Sequence, residues 1–354
     1  MVVSWPGGSV KPANNLYRLL NRLLEEECPS QWVSATVVSK HRSSYRKPGA
    51  LMLVSPLGHT FGLISGGCLE SDIVIRARRV LEYRCPELVV YDSTEDGNIA
   101  AELGLGCNGR IQVLIEEIGE QHQRLYRALL DRMTAGMGSF LLHCLGGSGR
   151  GAGLSALLDE QRQALFTINE TQQPPVFLDR QQGVPFDDGD GSTWVITPAR
   201  APVRLLIVGG GIDAQPVAAL AAGLGWRVAV ADHRTVNARR QNFPAAERLI
   251  HSRAGDWVEE LAFDAVIIMS HNLDNDAEWL VRCQSIPDLR YLGLLGPVDR
   301  KLEVLALAGL DSHTGLAGIL HGPMGIDIGG DLPESVALST IAQCHQVLAS
   351  HGIV

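Results

Sequence analysis

The sequence predicts an α/β protein in two parts, an α+β domain over residues 1–200 and a doubly wound parallel sheet over residues 201–354. Three observations predict it. From Arg204 onward, β-branched runs alternate with segments of helical period, the pattern of a parallel sheet covered on both faces. Before that point, strand-like runs follow one another through loops bearing glycine and proline. Between the two patterns lies the polar stretch 181–192, QQGVPFDDGDGS, with Pro198 and Pro202 after it. The 354 residues also suffice for two cores of ordinary size.

In the first part, Leu16, Leu19, Leu20, Leu23 and Leu24 fall on one helical face, and Asn14 or Asn15 is placed to cap that helix. Residues 32–39 are rich in β-branched side chains and read as a strand. The basic loop HRSSYRKPG leads to a second strand at 50–54, and a third at 59–64 runs into Ser65-Gly66-Gly67-Cys68-Leu69-Glu70. Leu69, Ile73, Val74, Ala77, Val80 and Leu81 then recur at helical intervals, predicting a helix over 68–84. The glycine pair therefore sits between a strand and a helix N-terminus, a place suited to cradling a ligand. Strands follow at 88–91 and 111–115, separated by a loop containing Gly104, Gly106, Cys107 and Gly109. Further strands are expected near 139–145, 164–168 and 194–197, and GGSGRGAG at 146–153 reads as a loop.

In the second part, strands are expected at 205–208, 228–231, 265–269 and 291–295, with helices ending at Leu224, over 275–285 and from Pro333. The first strand meets Gly209-Gly-Gly211-Ile-Asp-Ala214, a G-x-G-x-x-A turn. Gly209 serves the tight turn, Gly211 the close approach of backbone to a phosphate, and Ala214 the contact of helix with strand. Asp232 ends the next strand at the interval where an acid binds a ribose hydroxyl. Together these features predict a Rossmann-like fold. They leave NAD(P) or another nucleotide as a candidate ligand, although Asp213 would compete with a pyrophosphate for the positive end of the helix.

A net charge of −9 with no Lys/Arg-rich run removes the footprint of a nucleic-acid binder. The sequence opens without a basic stretch followed by an apolar one, and no apolar run nears the roughly 18 residues needed to span a bilayer, so a cytoplasmic protein is expected. The seven cysteines are scattered and never in a C-x-x-C pair, which signals neither a disulfide framework nor a four-thiolate zinc site. Cys68, at a helix start that favours an anion, reads either as a soft ligand for a metal or a sulfur carrier, or as a small hydrophobe behind a turn. Cys107, in its own glycine-rich loop, reads either as converging on the same ligand or as incidental. Arg42, Arg46 and Lys47 read as a grip on phosphate or on a partner's acids, or as a solvated loop. His271 follows a strand at the edge where sheet ligands bind and reads either as a site residue or as a structural histidine, and Glu334 reads as a first-turn acid of the last helix.

Taken in order, 46–50 (RKPGA), 64–70 (ISGGCLE), 105–110 (LGCNGR), the Gly209 turn, 291–296 (YLGLLG) and 321–330 (HGPMGIDIGG) with Pro333-Glu334 resemble the XdhC/CoxI family of xanthine dehydrogenase and carbon monoxide dehydrogenase accessory proteins. The sequence departs from that pattern at Cys107-Asn108-Gly109, where the family usually carries Cys-Gly-Gly, and at Ile212-Asp213, where a His and an apolar residue are common. The resemblance implies a chaperone without turnover of its own that binds the molybdenum cofactor (molybdopterin), protects it and delivers it. It makes Cys68 the leading metal ligand, and the candidate cofactor-binding residues Gly66, Gly67, Cys68, Glu70 and Cys107, then Gly209, Gly211, Asp232, His271 and Glu334. The implied partners are the large subunit of a molybdenum hydroxylase and a cysteine desulfurase or sulfurase, and the implied assembly is a homodimer. A reading from a different class is an NAD(P)-dependent oxidoreductase with His271 as proton donor.

Overall fold

The computed structural model describes residues 15–25, 31–42, 44–92, 109–147, 150–168, 180–256, 262–310, 315–316 and 318–354. They form two compact units that meet in sequence at Ala201 and Pro202.

The first unit begins with α1 (Leu16–Glu25), which buries Leu19, Leu20 and Leu23. Its start is capped by Asn15, whose side-chain oxygen accepts a hydrogen bond from the Arg18 amide at 2.9 Å. A first antiparallel sheet is built from β1 (Val33–Arg42), β2 (Leu51–Val54), β3 (Thr60–Gly62), β4 (Glu87–Asp92) and β5 (Gly109–Glu117), in the order β3-β2-β1-β5-β4. One face is covered by α2 (Glu70–Tyr83), whose Ile73, Ala77 and Val80 pack on Val33, Ala35, Val113 and Ile115. The other face packs against α1, α3 (Glu120–Thr134) and a second sheet through Leu51, Leu53, Leu129, Leu141 and Leu157. That second sheet comprises β6 (Ser139–Gly147), β7 (Gly153–Leu158), β8 (Ala164–Thr167), β9 (Phe186–Asp187) and β10 (Ser192–Ala199), in the antiparallel order β8-β7-β6-β10-β9. Helix α3 and strand β7 are absent from the sequence reading, although Leu125, Tyr126, Leu129 and Met133 carry a helical period and are the residues α3 buries.

The second unit comprises β11 (Arg204–Val208), α4 (Ala214–Gly223), β12 (Arg227–Ala231), β13 (Arg248–Ile250), β14 (Ala265–Ile268), α5 (Leu273–Cys283), β15 (Tyr291–Leu294), α6 (Val298–Leu307), β16 (Leu320–His321) and α7 (Pro333–Ser350). All six strands are parallel, in the order β13-β12-β11-β14-β15-β16. Helices α4 and α7 cover one face through Val217, Ala221, Ile341 and Cys344. Helices α5 and α6 cover the other through Trp279, Leu280 and Val304. The strand order reverses between β11 and β14, and a crevice forms at such a switch point, outside the carboxyl ends of the strands. β13, β16 and α6 are further elements that the sequence reading does not contain; the two strands are only three and two residues long. No helix among the described residues is long and apolar enough to cross a membrane.

Candidate functional site

One end of the first sheet gathers the chemistry of its unit. β1, β3 and β4 stop at that end and β2 and β5 start there, with Arg42 opposite Gly109 and Asp92 opposite Arg110. The chain therefore leaves the sheet at this edge after Arg42, Gly62 and Asp92 and re-enters it there at Leu51 and Gly109, the residues between these elements being 43–50, 63–69 (which leads into α2) and 93–108. Cys107 belongs to the last of these and lies outside the described residues. Helix α2 starts at this edge as well: Asp72 accepts a hydrogen bond from the Tyr91 hydroxyl at 2.6 Å, while Arg76, one turn on, pairs with Glu87 at the far end of β4. Burial, and then the Asp72 carboxylate, push the Tyr91 phenol far above its ordinary range.

The turn between β3 and α2 is held from inside. Ser65 Oγ accepts from the amides of Gly67 at 3.2 Å, Cys68 at 3.1 Å and Leu69 at 3.0 Å, and donates to Glu70 Oε2 at 2.6 Å. Glu70 Oε1 accepts from the amides of Ser65 at 2.8 Å and Ile64 at 3.2 Å. Glu70, expected at a cofactor, thus commits both oxygens to the turn. Burial pushes its pKa up, but the hydrogen bonds from Ser65 and Ile64 outweigh it and hold the carboxyl below its usual value. The helix starts at Glu70, two residues later than the spacing predicts, so Cys68 precedes the first helical turn. The amides expected to favour an anion there are already given to the Ser65 hydroxyl.

What the turn presents outward is Gly66, Gly67 and Cys68, all exposed. Gly67 has a left-handed φ of +115°, and a Cβ on either glycine would meet no atom of the described residues within 4 Å, so the turn faces open space among them. An exposed thiol on such a turn fits a soft metal or a sulfur ligand in its chemistry. No group of three or more His, Cys, Asp or Glu side chains among the described residues is placed to hold a metal.

In the second unit the candidate residues lie at the carboxyl ends of β11, β12 and β14. A Cβ on Gly209, whose φ is +105°, would fall 2.5 Å from the Met269 carbonyl oxygen, so only glycine lets these two loops meet. A Cβ on Gly211 would meet no atom of the described residues within 4 Å, which makes it the open position of the turn. Asp232 is buried: Oδ2 accepts from the Gly210 amide at 2.9 Å, Arg234 Nη2 at 2.9 Å and Asn237 Nδ2 at 3.0 Å. Its Oδ1 accepts from Arg234 N at 2.8 Å and Nε at 3.0 Å. Burial opposes the charge, yet these bonds, those of Arg234 first, hold the carboxyl far below its usual range. A carboxylate so saturated frames the loop, and a ribose hydroxyl would have to displace Arg234 to reach it.

His271 follows β14 with a left-handed φ of +59°, and its Nε2 stands 3.1 Å from Asp213 Oδ2. The pair spans the switch point, from the loop after β11 to the loop after β14, although the sequence signals no such contact between residues 58 apart. Glu334 approaches the same turn from another side: with Ile212 of that turn, Gln215, Pro216, Asn242 and Pro244 it lines a groove of about 610 Å³ by the first turns of α4 and α7. Two buried polar groupings also escape the sequence reading, because their members come together only in the fold. Asp276 of α5 accepts from Ser270 and from Arg300 of α6, the latter at 2.7 Å. In the first unit, Glu116 accepts from the Leu154 amide at 2.9 Å and lies 3.3 Å from His122 Nε2, with buried His143 bonded to Thr197 nearby.

A model of the XdhC and CoxI family matches residues 29–92, and a model of the XdhC Rossmann domain matches residues 205–344. The chain is 28% identical over 355 residues to a probable xanthine dehydrogenase subunit of Bacillus subtilis (strain 168), covering 96% of this chain and 99% of that protein. It is 29% identical over 201 residues to the uncharacterized protein YqeB of Escherichia coli (strain K12), across 54% of this chain and 36% of that one. A crystal structure described as a xanthine dehydrogenase from Bacillus halodurans superposes with a TM-score of 0.73 at 29% identity, covering 94% of this chain and 96% of that one. The first model spans the sheet edge and the Cys68 turn and the second spans the Gly209 turn, Asp232 and His271, so by both of its units the chain belongs to the XdhC and CoxI family.

Proposed function

We propose that this protein is an accessory factor of a xanthine-dehydrogenase-type molybdenum hydroxylase that binds the molybdenum cofactor, holds it while its terminal sulfur is installed, and passes it to the hydroxylase large subunit. The observation that carries this reading is the exposure of Cys68 on a glycine turn that faces open space. Bound there, the cofactor supplies the metal and its exchangeable sulfur. The chain supplies a soft sulfur donor on a turn fixed by Ser65 and Glu70. On this reading the partners are the hydroxylase and a cysteine desulfurase in the cytoplasm, and the carrier is a homodimer. Purification together with the cofactor, followed by molybdenum and pterin assay, tests it: Cys68→Ala is expected to lose at least nine-tenths of both, and undiminished retention rejects the ligand role.

A second reading, a nucleotide in the Rossmann-like unit, is favoured by the switch-point topology and the open Gly211. Against an NAD(P)-dependent oxidoreductase stand the saturation of Asp232 by Arg234 and the Asp213–His271 contact across the crevice. Calorimetric titration with NAD(H) and NADP(H) is expected to give no binding heat. Micromolar binding of either would restore the oxidoreductase reading.

A further inference from the structure

We propose that Lys40 and Arg42 form the anion-binding half of the Cys68 site and take the phosphate-ester end of an organic phosphate whose other end reaches the thiol. The inference rests on the reading that Cys68 holds the cofactor, a pterin bearing a phosphate monoester, and it names the residues that distinguish that ligand from an uncharged pterin.

The placement follows from strand register. Lys40 stands opposite Ile111, and Ile111 stands opposite Tyr91, so the three lie in one row on one face of the first sheet. That face is the one α2 covers, since Tyr91 reaches Asp72 in the first turn of α2 and Ile111 packs in the same core. Arg42 ends β1 two residues further on, opposite the side-chain-free Gly109, where the backbone turns out of the strand with a left-handed φ of +63°. Cys68 lies one turn before Asp72, at the end of α2 that meets this edge. Lys40 therefore shares a face of the sheet with the start of α2, and Lys40, Arg42 and the exposed thiol gather at one edge of it.

Their charge is unbalanced. Arg76, Arg84, Arg204, Arg227, Arg234 and Arg300 each reach a carboxylate, in a chain with more acids than bases. Lys40 and Arg42 are exposed and have no ion-pair partner among the described residues. The last pairs of β1 with β5 set His41 opposite Arg110, whose Nε lies 3.9 Å from Asp92, so the acid at this strand end is engaged by Arg110. Adjacent like charges are unfavourable, and a bound dianion would relieve them. Phosphate suits this pair because a guanidinium can bind two of its oxygens while an ammonium supplies a third contact.

The test is equilibrium binding of molybdenum cofactor, intact and after enzymatic removal of its phosphate, to the full chain under anaerobic conditions. The wild type is expected to bind the phosphorylated form at least tenfold more tightly. Lys40→Gln/Arg42→Gln is expected to bring that ratio close to one, and Lys40→Gln alone to an intermediate value, with circular dichroism unchanged. Cys68→Ala is expected to weaken both forms and preserve the ratio. A wild-type ratio near one, a ratio preserved in the double variant, or an equal loss of both forms in it would overturn the phosphate assignment and leave the carrier reading in place. A wild type that binds neither form would remove the carrier reading, and the phosphate site with it.

Discussion

At the scale of single residues, the most consequential side chain outside the candidate site is His143. It is buried between the two sheets of the first unit, where its Nε2 meets Thr197 Oγ1 at 2.9 Å and its Nδ1 has no hydrogen-bond partner among the described residues. Burial pushes its pKa down to about 4, against a weaker opposing pull from Glu116. Below about pH 6.5 an unfolded imidazole takes up a proton that the folded one refuses until about pH 4. The unfolded state then binds more protons, so stability falls as pH drops through that window. The size of the shift corresponds to about 2 kcal/mol lost between pH 7.5 and pH 5. Urea unfolding at the two pH values measures it, and His143→Leu is expected to be less stable at pH 7.5 yet to lose less on acidification. Equal acid losses in both proteins would show that His143 is not the titrating group. The neighbouring Glu116 has a fixed partner: His122 Nδ1 accepts the Gly119 amide at 3.3 Å, which leaves the Nε2 proton for the Glu116 carboxylate.

At the scale of elements, what was legible in the sequence is what local pattern encodes. The G-x-G-x-x-A turn announces β11 and α4 because each glycine answers a steric demand that the fold then exhibits at Gly209. Replacing that glycine with alanine places a Cβ against the Met269 carbonyl in a backbone region closed to L-residues, and about 3 kcal/mol or more of stability is expected to go. Urea denaturation of Gly209→Ala checks this, and a change below about 1 kcal/mol would mean the two loops part easily. The position of Cys68 between strand and helix was equally legible, from β3 on one side and the period of Ile73, Ala77 and Val80 on the other. The role of Glu70 was not, because a carboxylate five residues past a serine reads the same whether it faces a ligand or its own turn. Nor was the Asp213–His271 contact legible, since it depends on which strand lies beside β11. Short elements such as β9, with two residues, bury too little side chain to leave a pattern.

At the scale of the whole molecule, each hydrophobic core is built within one unit: Leu53 and Leu129 belong to the first, Leu206 and Ile207 to the second. Each unit thus owns the packing that sustains it, and each presents its candidate residues at the end of its own sheet. The two ends differ in character. The Cys68 edge is furnished with open glycines and with two cations that no acid among the described residues engages. At the other, Gly209 lies against Met269 and Ser270, Gly210 against Asn237 and Ala238, and Asp232 ties Gly210 to Arg234. Three loops that rise from β11, β12 and β14 are consequently fastened to one another, so that none can swing aside alone. A ribose hydroxyl arriving there would meet a carboxylate already engaged by Arg234, so a nucleotide at the open Gly211 would have to settle without the hold of Asp232.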